Sequence, residues 1–324
     1  MSKRNVPGIV AAILLLVLPH TAFSWGNEGH QAVARIAARQ LTPAAQQKIV
    51  ALLRSDMNDD LRLKAIIGES GKPKRGALEK ALATMATWPD SMPKPGKGPT
   101  SPWHFVDIGL FEGPSNIDGR CPDGACVSRK IDELLENLKT GKSIEIAFKP
   151  PRTYDPPVEL RFLVHFLGDI HQPLHCATNG DAGGNCLKEK GYRLKFPEVH
   201  AVWDTALVQE AIKKTPGNFA GSLINEFDGK LNVPEATTNQ IAAESFEIAT
   251  HVYKVATPQV PIIDHFVEVT PGTCEKQAPP EINAITVDAR ASYDNAANLL
   301  IVRQQLYKGG VRLGKILNAI YDHP

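Results

Sequence analysis

Val164-His165-Phe166-Leu167-Gly168-Asp169-Ile170-His171-Gln172-Pro173-Leu174-His175 is the stretch from which the fold is read. Upstream, Asp155-Pro156-Pro157 reads as a helix start, with a side-chain acceptor followed by proline at the first helical positions. Leu160, Leu163, Phe166, Leu167 and Ile170 then recur at helical spacing and predict a buried stripe. His165 and Asp169 are four apart, so a helix places them one above the other on one face. Pro173 ends the helix, and His175 follows just past the end. One imidazole, one carboxylate and a second imidazole are thus aimed at one region, a cluster of metal-ligand type and spacing. A single histidine on a helix is usually an ordinary core or surface residue. Here the spacing recurs: His200-Ala201-Val202-Trp203-Asp204 is a second His and Asp four apart, expected to open another helix.

Outward from this stretch, helical signals dominate. Glu28 to Gln40 is amphipathic, Thr42-Pro43 caps a further helix, and Arg129 to Leu138 alternates charge and leucine at helical spacing. Glu235 to Tyr253 and Asp288 to Tyr307 read as longer helices. Gly309-Gly310 is expected to break the chain before a last helix, Arg312 to Tyr321. Strand signals are sparse, and the loops Met92 to Pro102 and Phe148 to Pro157 are proline-rich. A charged segment runs from Asp59 to Lys80 and is expected to shape the rim of a cleft. With no internal repeat and no clear linker, the reading is one mostly helical, all-α domain with long ordered loops.

Residues 1–24 read as a secretory signal. Lys3 and Arg4 form a short basic region, Ile9 to Leu18 is apolar, and Ala22-Phe23-Ser24 offers small residues at the cleavage positions. The domain is then 25–324, exported and without a membrane anchor. Loss of Lys3 and Arg4 leaves 34 basic against 35 acidic residues, a balance of −1. Such a chain has no broad basic face for duplex nucleic acid, so attraction for phosphate must be local, and bound metal ions are one source. The five cysteines suit an oxidising compartment. Cys121 pairs with Cys126 across Pro122-Asp123-Gly124, and Cys176 is expected to pair with Cys186 across a glycine-rich loop, leaving Cys274 over. No CxxC pair points to a structural zinc, and no Asn-X-Ser/Thr site occurs.

The candidate ligands extend beyond the two His–Asp pairs. Trp25-Gly26-Asn27-Glu28-Gly29-His30 would open the processed chain, where a free amine and its own carbonyl can chelate an ion beside His30. Thr87-Trp88-Pro89-Asp90 and Trp103-His104-Phe105-Val106-Asp107 follow. Imidazole with carboxylate suits zinc. These pieces, with Gly183-Gly184-Asn185, Glu244-Ser245 and Gly310-Val311-Arg312-Leu313, occur in an order that resembles the type I nucleases of plants, fungi and bacteria. That family comprises single-strand-specific 3′-nucleotidases that share a fold with zinc-dependent phospholipase C.

The resemblance implies three zinc ions. Asp90, His104, His165 and Asp169 would hold one; His175, His200 and Asp204 a second; the amine and carbonyl of Trp25 with His30 and a shared Asp169 the third. It also implies hydrolysis of single-stranded RNA and DNA to 5′-phosphates, and of 3′-nucleotides. A zinc-activated hydroxide, placed by the bridging Asp169, would attack phosphorus while zinc stabilises the leaving 3′ oxygen. Asp107 would orient water or contact a base, Phe105 would stack on one, and Asn185 would bond a base edge. Many relatives carry a basic residue three positions after the aspartate; here that position is Pro93, and Lys94 or Lys97 would substitute. His171 and Trp203 read as structural. The alternatives are a zinc phospholipase C, in which glutamate is expected in place of Asp204, and a non-catalytic zinc-binding protein, which would need no open coordination positions. No stable protein partner is implied.

Overall fold

The computed structural model describes residues 25–55, 61–68, 70–92, 98–146, 152–154, 156–257 and 259–322. The leader, Lys94, Lys97 and the Asp155 cap fall outside these residues. The stretch that begins at Pro156 is a helix at the centre of the molecule, α6 (Pro156–Asp169). From Val158 to Ile170 no side chain is more than slightly exposed, so apolar residues line all its faces rather than one stripe.

Around it pack α1 (Asn27–Gln40), α2 (Pro43–Ser55), α4 (Ala77–Met85) and α5 (Val127–Thr140), while α3 (Leu61–Ile67) lies on α2 and α4. After α6 come the short α7 (Val199–Ala201), α8 (Leu207–Lys213), α9 (Phe219–Phe227), α10 (Thr238–His251), α11 (Cys274–Gln277), α12 (Pro280–Asn283), α13 (Ala289–Tyr293) and the long α14 (Ala296–Tyr321). Local signals set several starts. Thr42 Oγ1 accepts from Ala45 N at 3.2 Å and opens α2. Thr237 and Gln240 exchange side-chain and backbone bonds in a capping box that starts α10, three residues later than Glu235. Strands are minor: β1 (Ile144–Ile146) pairs antiparallel with β2 (Arg152–Tyr154), and β3 (Lys188–Lys190) lies parallel to β4 (Thr286–Asp288). Among the described residues no helix is long and apolar enough to cross a membrane.

The C-terminal region departs from the sequence expectation. Asp288 caps only the short α13, and the chain turns at Asp294 before Asn295 caps α14 by accepting from Asn298 N at 3.0 Å. From there α14 runs unbroken through Gly309-Gly310 to Tyr321. Helical glycine costs about 1 kcal/mol relative to alanine. Here the missing side chains let α14 lie directly on α1. A Cβ at Gly310 would come within 2.5 Å of Ile36 Cβ and 3.0 Å of the Val33 carbonyl, and one at Gly314 within 3.1 Å of Gln40 Cβ. The pair is a contact surface rather than a break.

The cysteine pairing is also corrected. Cys121–Cys126 forms as expected, but Cys186 bonds Cys274, and Cys176 is the free, buried thiol. Cys176 leaves the turn after His175 pointing inward, with Sγ 3.5 Å from the Ile170 carbonyl. Cys186 faces the other way, toward α11, where Cys274 lies 5.2 Å off by Cα. Burial beside Asp169 pushes the Cys176 thiol far above its usual value, so it stays protonated and inert.

Candidate metal centre

The interior ends of α1, α4 and α6 meet at one point. His30 sits in the first turns of α1 and stacks on His165 of α6, ring centroids 3.9 Å apart. Gly168 makes this approach possible, because a Cβ there would stand 2.6 Å from His30 Nδ1. Past the end of α4, a short 3-10 turn (Pro89–Ser91) presents Asp90, and a second (Ser101–His104) presents His104. Asp169, wholly buried at the end of α6, lies at the middle. Its Oδ1 is 3.3 Å from His30 Nε2, and its Oδ2 is 3.0 Å from His104 Nδ1 and 3.2 Å from His165 Nε2. Asp90 Oδ1 closes the group at 3.4 Å from His165 and 3.8 Å from His104.

The second group lies beside the first. Pro173–His175 forms a 3-10 turn after α6, and His175 Nδ1 comes within 3.9 Å of Asp169 Oδ1. His200 lies in α7, and Asp204 lies within a π-helical stretch, Val202–Ala206, inserted between α7 and α8. Such wide turns recur at functional sites because they re-aim side chains within a helix. Here His200 Nε2 lies 3.2 Å from Asp204 Oδ2 and 3.2 Å from His175 Nε2, with Asp204 Oδ1 3.8 Å from His175. Gln172 ties the two elements together, donating from Nε2 to Asp204 Oδ1 at 2.6 Å while its Oε1 accepts from Leu174 N.

The outward ring nitrogens fix the tautomers. His165 Nδ1 is 2.7 Å from the Ala86 carbonyl, His175 Nδ1 is 2.9 Å from the His104 carbonyl, and His200 Nδ1 is 2.7 Å from the Gly183 carbonyl. A carbonyl only accepts, so each Nδ1 carries the proton and a neutral ring turns the lone pair of its Nε2 inward. His175 and His200 therefore aim two lone pairs at each other across 3.2 Å. His165 Nε2 also turns inward, 3.0 Å from His104 Nδ1, which itself lies 3.0 Å from the acceptor Asp169 Oδ2. Among the described residues, buried Asp169 Oδ1 accepts no well-aligned hydrogen bond, His30 Nε2 lying 3.3 Å away. Converging lone pairs and carboxylate oxygens repel unless a proton or a cation lies among them. Three such His/Asp groups can each hold a metal ion: His30, Asp90 and His165; His104, His165 and Asp169; His175, His200 and Asp204.

The protein alone meets this frustration with protons. Burial pulls His165 down, but the carboxylates of Asp169 and Asp90 outweigh it and hold the ring well above its ordinary value. Burial likewise opposes His200, yet Asp204 raises it to about 9. His175 goes the other way, to about 4, through burial and against the pull of Asp169. His30 is lowered by burial and by the neighbouring His165. Burial works to raise Asp169, but the surrounding imidazoles hold it well below the carboxylate range.

The remaining expected residues surround this centre. Phe105 and Asp107 follow directly on His104 and are half-buried. Burial, then the charge of Asp181, pushes Asp107 up to about 7. Asn185 is buried at the end of the glycine-rich loop, with Nδ2 donating to the Ala182 carbonyl at 2.7 Å. It shares a small cavity of about 140 Å³ with His200, Asp204 and Phe196. Gly183, at φ +61°, brings its carbonyl to His200, and a Cβ there would lie 2.4 Å from the Leu174 carbonyl. Trp25 is wholly buried beside α1, with Gly26 N donating to the Asp204 carbonyl at 2.7 Å. His171 is structural as expected: its Nδ1 meets the Leu167 carbonyl at 2.7 Å and its Nε2 lies 3.0 Å from Arg312. Arg312 also forms a bidentate pair with Glu244 at 2.8 and 2.9 Å. Lys94 lies outside the described residues. Sequence reasoning passed over Gln172 and the three carbonyls of Ala86, His104 and Gly183. Backbone acceptors leave no mark in residue identity, and Gln172 stood in the deciding stretch without a visible partner.

A buried, mostly helical cage of imidazole and carboxylate groups has the make-up of a metal centre. The chain belongs to the S1/P1 nuclease family, whose description, S1/P1 Nuclease, matches residues 25–322. It is 27% identical to Endonuclease 3 of Arabidopsis thaliana, over 97% of this chain and 95% of that protein. Endonuclease 4 of the same plant is 26% identical over 99% and 97%. Nuclease S1 of Aspergillus oryzae is 29% identical over 60% of this chain and 58% of its own. The chain is a nuclease of a zinc-dependent family.

Proposed function

We propose that the chain is an exported, single-strand-specific nuclease with 3′-nucleotidase activity, built on three zinc ions. Residues 1–24 are the leader and 25–324 the catalytic domain. Asp90, His104, His165 and Asp169 hold one ion. His175, His200 and Asp204 hold another. His30, Asp169 and the amine and carbonyl of Trp25, freed by processing, hold the third. The observation that carries the reading is the inward convergence of the Nε2 lone pairs of His175 and His200 at 3.2 Å beside Asp204. Bound zinc supplies a water that loses its proton near neutral pH and positive charge for the phosphate.

The chain's own groups do the rest. Asp169 is shared between two of the donor groups and so sets their spacing. Phe105 stacks on an unpaired base, Asp107 orients the water or contacts the base, Asn185 contacts a base edge, and Lys94 contacts the phosphate. Stacking and edge contacts require unstacked, unpaired bases, which gives the single-strand preference. The products are 5′-mononucleotides, or a nucleoside and phosphate from a 3′-nucleotide. Export agrees with the disulfides Cys121–Cys126 and Cys186–Cys274.

Two measurements test this. Metal analysis of the processed protein is expected to return close to three zinc per chain; a value near one overturns the three-ion centre. Single-stranded RNA and phosphatidylcholine are then compared, each with and without a zinc chelator. Chelator-sensitive release of 5′-mononucleotides with intact lipid is expected. Release of phosphocholine with intact RNA would overturn the assigned substrate while leaving the metal centre standing.

A further inference from the structure

The metal centre makes no use of the charged segment that ends at Lys80. Its described residues form α3, a loop and α4, and they pack on α1 and α2. Between α2, the end of α1 and the Gly71–Gly76 loop lies a groove of about 1060 Å³. Ala38 and Val50 make its apolar floor, with Leu78 on the wall.

Four cations line it: Arg54, Lys72, Lys74 and Arg75. Lys72, Lys74 and Arg75 are exposed and make no ion pair among the described residues. Arg54 donates to the carbonyls of Gly68 and Gly71 at 2.8 and 2.7 Å, so it holds the loop while its charge stays unmatched. Among the described lining residues the only carboxylate is Glu79. It is already held by Arg39 through two bonds of 3.0 Å and by Arg35 at 3.4 Å. Against burial, those two guanidiniums lower its pKa, so it stays ionised and paired. A processed chain with a balance of −1 thus concentrates positive charge, unpaired among the described residues, along one apolar-floored groove.

The groove has a defined place relative to the centre. Glu79, near the start of α4, bonds Arg35 and Arg39 in the later turns of α1, whereas the carbonyl of Ala86, just past the end of α4, bonds His165 beside His30. The two helices therefore run antiparallel, with the groove at one end of the pair and the metal centre at the other. Ala38 is roughly 12 Å along α1 from His30.

We propose that this groove is an auxiliary site for the sugar-phosphate backbone of single-stranded nucleic acid, holding a distal part of a strand whose other part occupies the centre. Lysine and arginine on the rim take the phosphates, and the apolar floor takes base faces. This rests on the single-strand nuclease reading above. A strand too short to leave the centre gains nothing from the groove.

The test is the combined variant Lys72→Gln, Lys74→Gln, Arg75→Gln in the full zinc-loaded protein. Its kinetics on a long single-stranded RNA homopolymer and on a dinucleotide are measured over a range of salt. On the long strand KM is expected to rise several-fold with kcat unchanged. The slope of log(kcat/KM) against log[salt] is expected to become shallower by about 2, since each single-strand phosphate contact contributes about 0.7. Dinucleotide hydrolysis is expected to stay at the wild-type level, which also shows that the variant is folded. Unchanged KM and salt slope on the long strand overturn the proposal. So does a variant that loses affinity for polyglutamate while its kinetics on the strand stay the same, because the occupant is then an acidic protein. Failure of the wild-type protein to cleave either substrate would instead overturn the nuclease reading itself.

Discussion

Gln172 sits between two donor groups and belongs to neither. Its amide holds Asp204 Oδ1 at 2.6 Å, and its carbonyl caps the turn that presents His175. Partners of this kind orient ligands and typically contribute 10- to 100-fold in metal affinity. Gln172→Leu keeps the bulk but loses both bonds. The ion proposed at His175, His200 and Asp204 should then be stripped at about 10- to 100-fold lower chelator concentration. Competition with a chromophoric chelator reads this, and retention at the wild-type level would remove Gln172 from the assembly. Glu159 offers a prediction without metal. Its carboxyl is buried and is pushed up to about 7 by burial, against the pull of Asn137 and the Ile144 backbone. A raised folded pKa means the folded state binds the extra proton. The native carboxyl's stability is therefore full below about pH 4.3 and declines as pH rises through about 7. Glu159→Gln escapes that decline, so its melting temperature should exceed that of wild type at pH 8 and converge with it at pH 4. At this scale the paired spacings His165/Asp169 and His200/Asp204 are legible in the sequence. The carbonyls that fix their tautomers are not, because any residue supplies one.

Among the elements, α1 and α5 follow from the period of their apolar residues, and α2 from its threonine cap. α14 does not, because Gly309-Gly310 reads locally as a break. The decision is made by a neighbour far away in the chain: α1 presents Val33, Ile36 and Ala37 where α14 has no side chains. Gly310→Ala sets two effects against each other. Alanine favours the helix by about 1 kcal/mol, while overpacking a filled contact costs about 1–3 kcal/mol. With Ile36 Cβ and Cγ2 at 2.5 and 2.6 Å and the Val33 carbonyl at 3.0 Å, the overlap wins. Denaturant titration should show a net loss of about 1–2 kcal/mol. The π-helical stretch at Val202–Ala206 is equally hidden from the sequence. A His–Asp spacing of four fits an ordinary helix as well as a widened one.

The whole molecule is closed by the Cys186–Cys274 bond, which joins residues 88 apart. Proximity along the chain favours pairing Cys176 with Cys186, but the fold turns one inward and the other toward α11. Cross-links that close long loops restrict the unfolded chain most, and for a loop of this length the entropy model gives about 4–5 kcal/mol. The paired variant Cys186→Ser, Cys274→Ser should lose stability on that order in denaturant titration, with wild type under reductant moving the same way. Reduction of Cys121–Cys126, only 5 residues apart, should matter less. The helical class and the continuity of one domain are legible in the composition and spacing of the chain. Which cysteines meet is not, because that depends on how loops from distant parts of the sequence come to lie together.

The donors of the centre also impose an order in time. His175, His200 and Asp204 come from one short span of chain, whereas the group around Asp169 draws His30, Asp90, His104 and His165 from across half the sequence. Loop closure makes distant contacts the slow ones. On that ground the local group is expected to assemble before the dispersed one, which requires α1 docked on α6. The ions proposed around Asp169 are therefore expected to load after the one proposed at His175, His200 and Asp204.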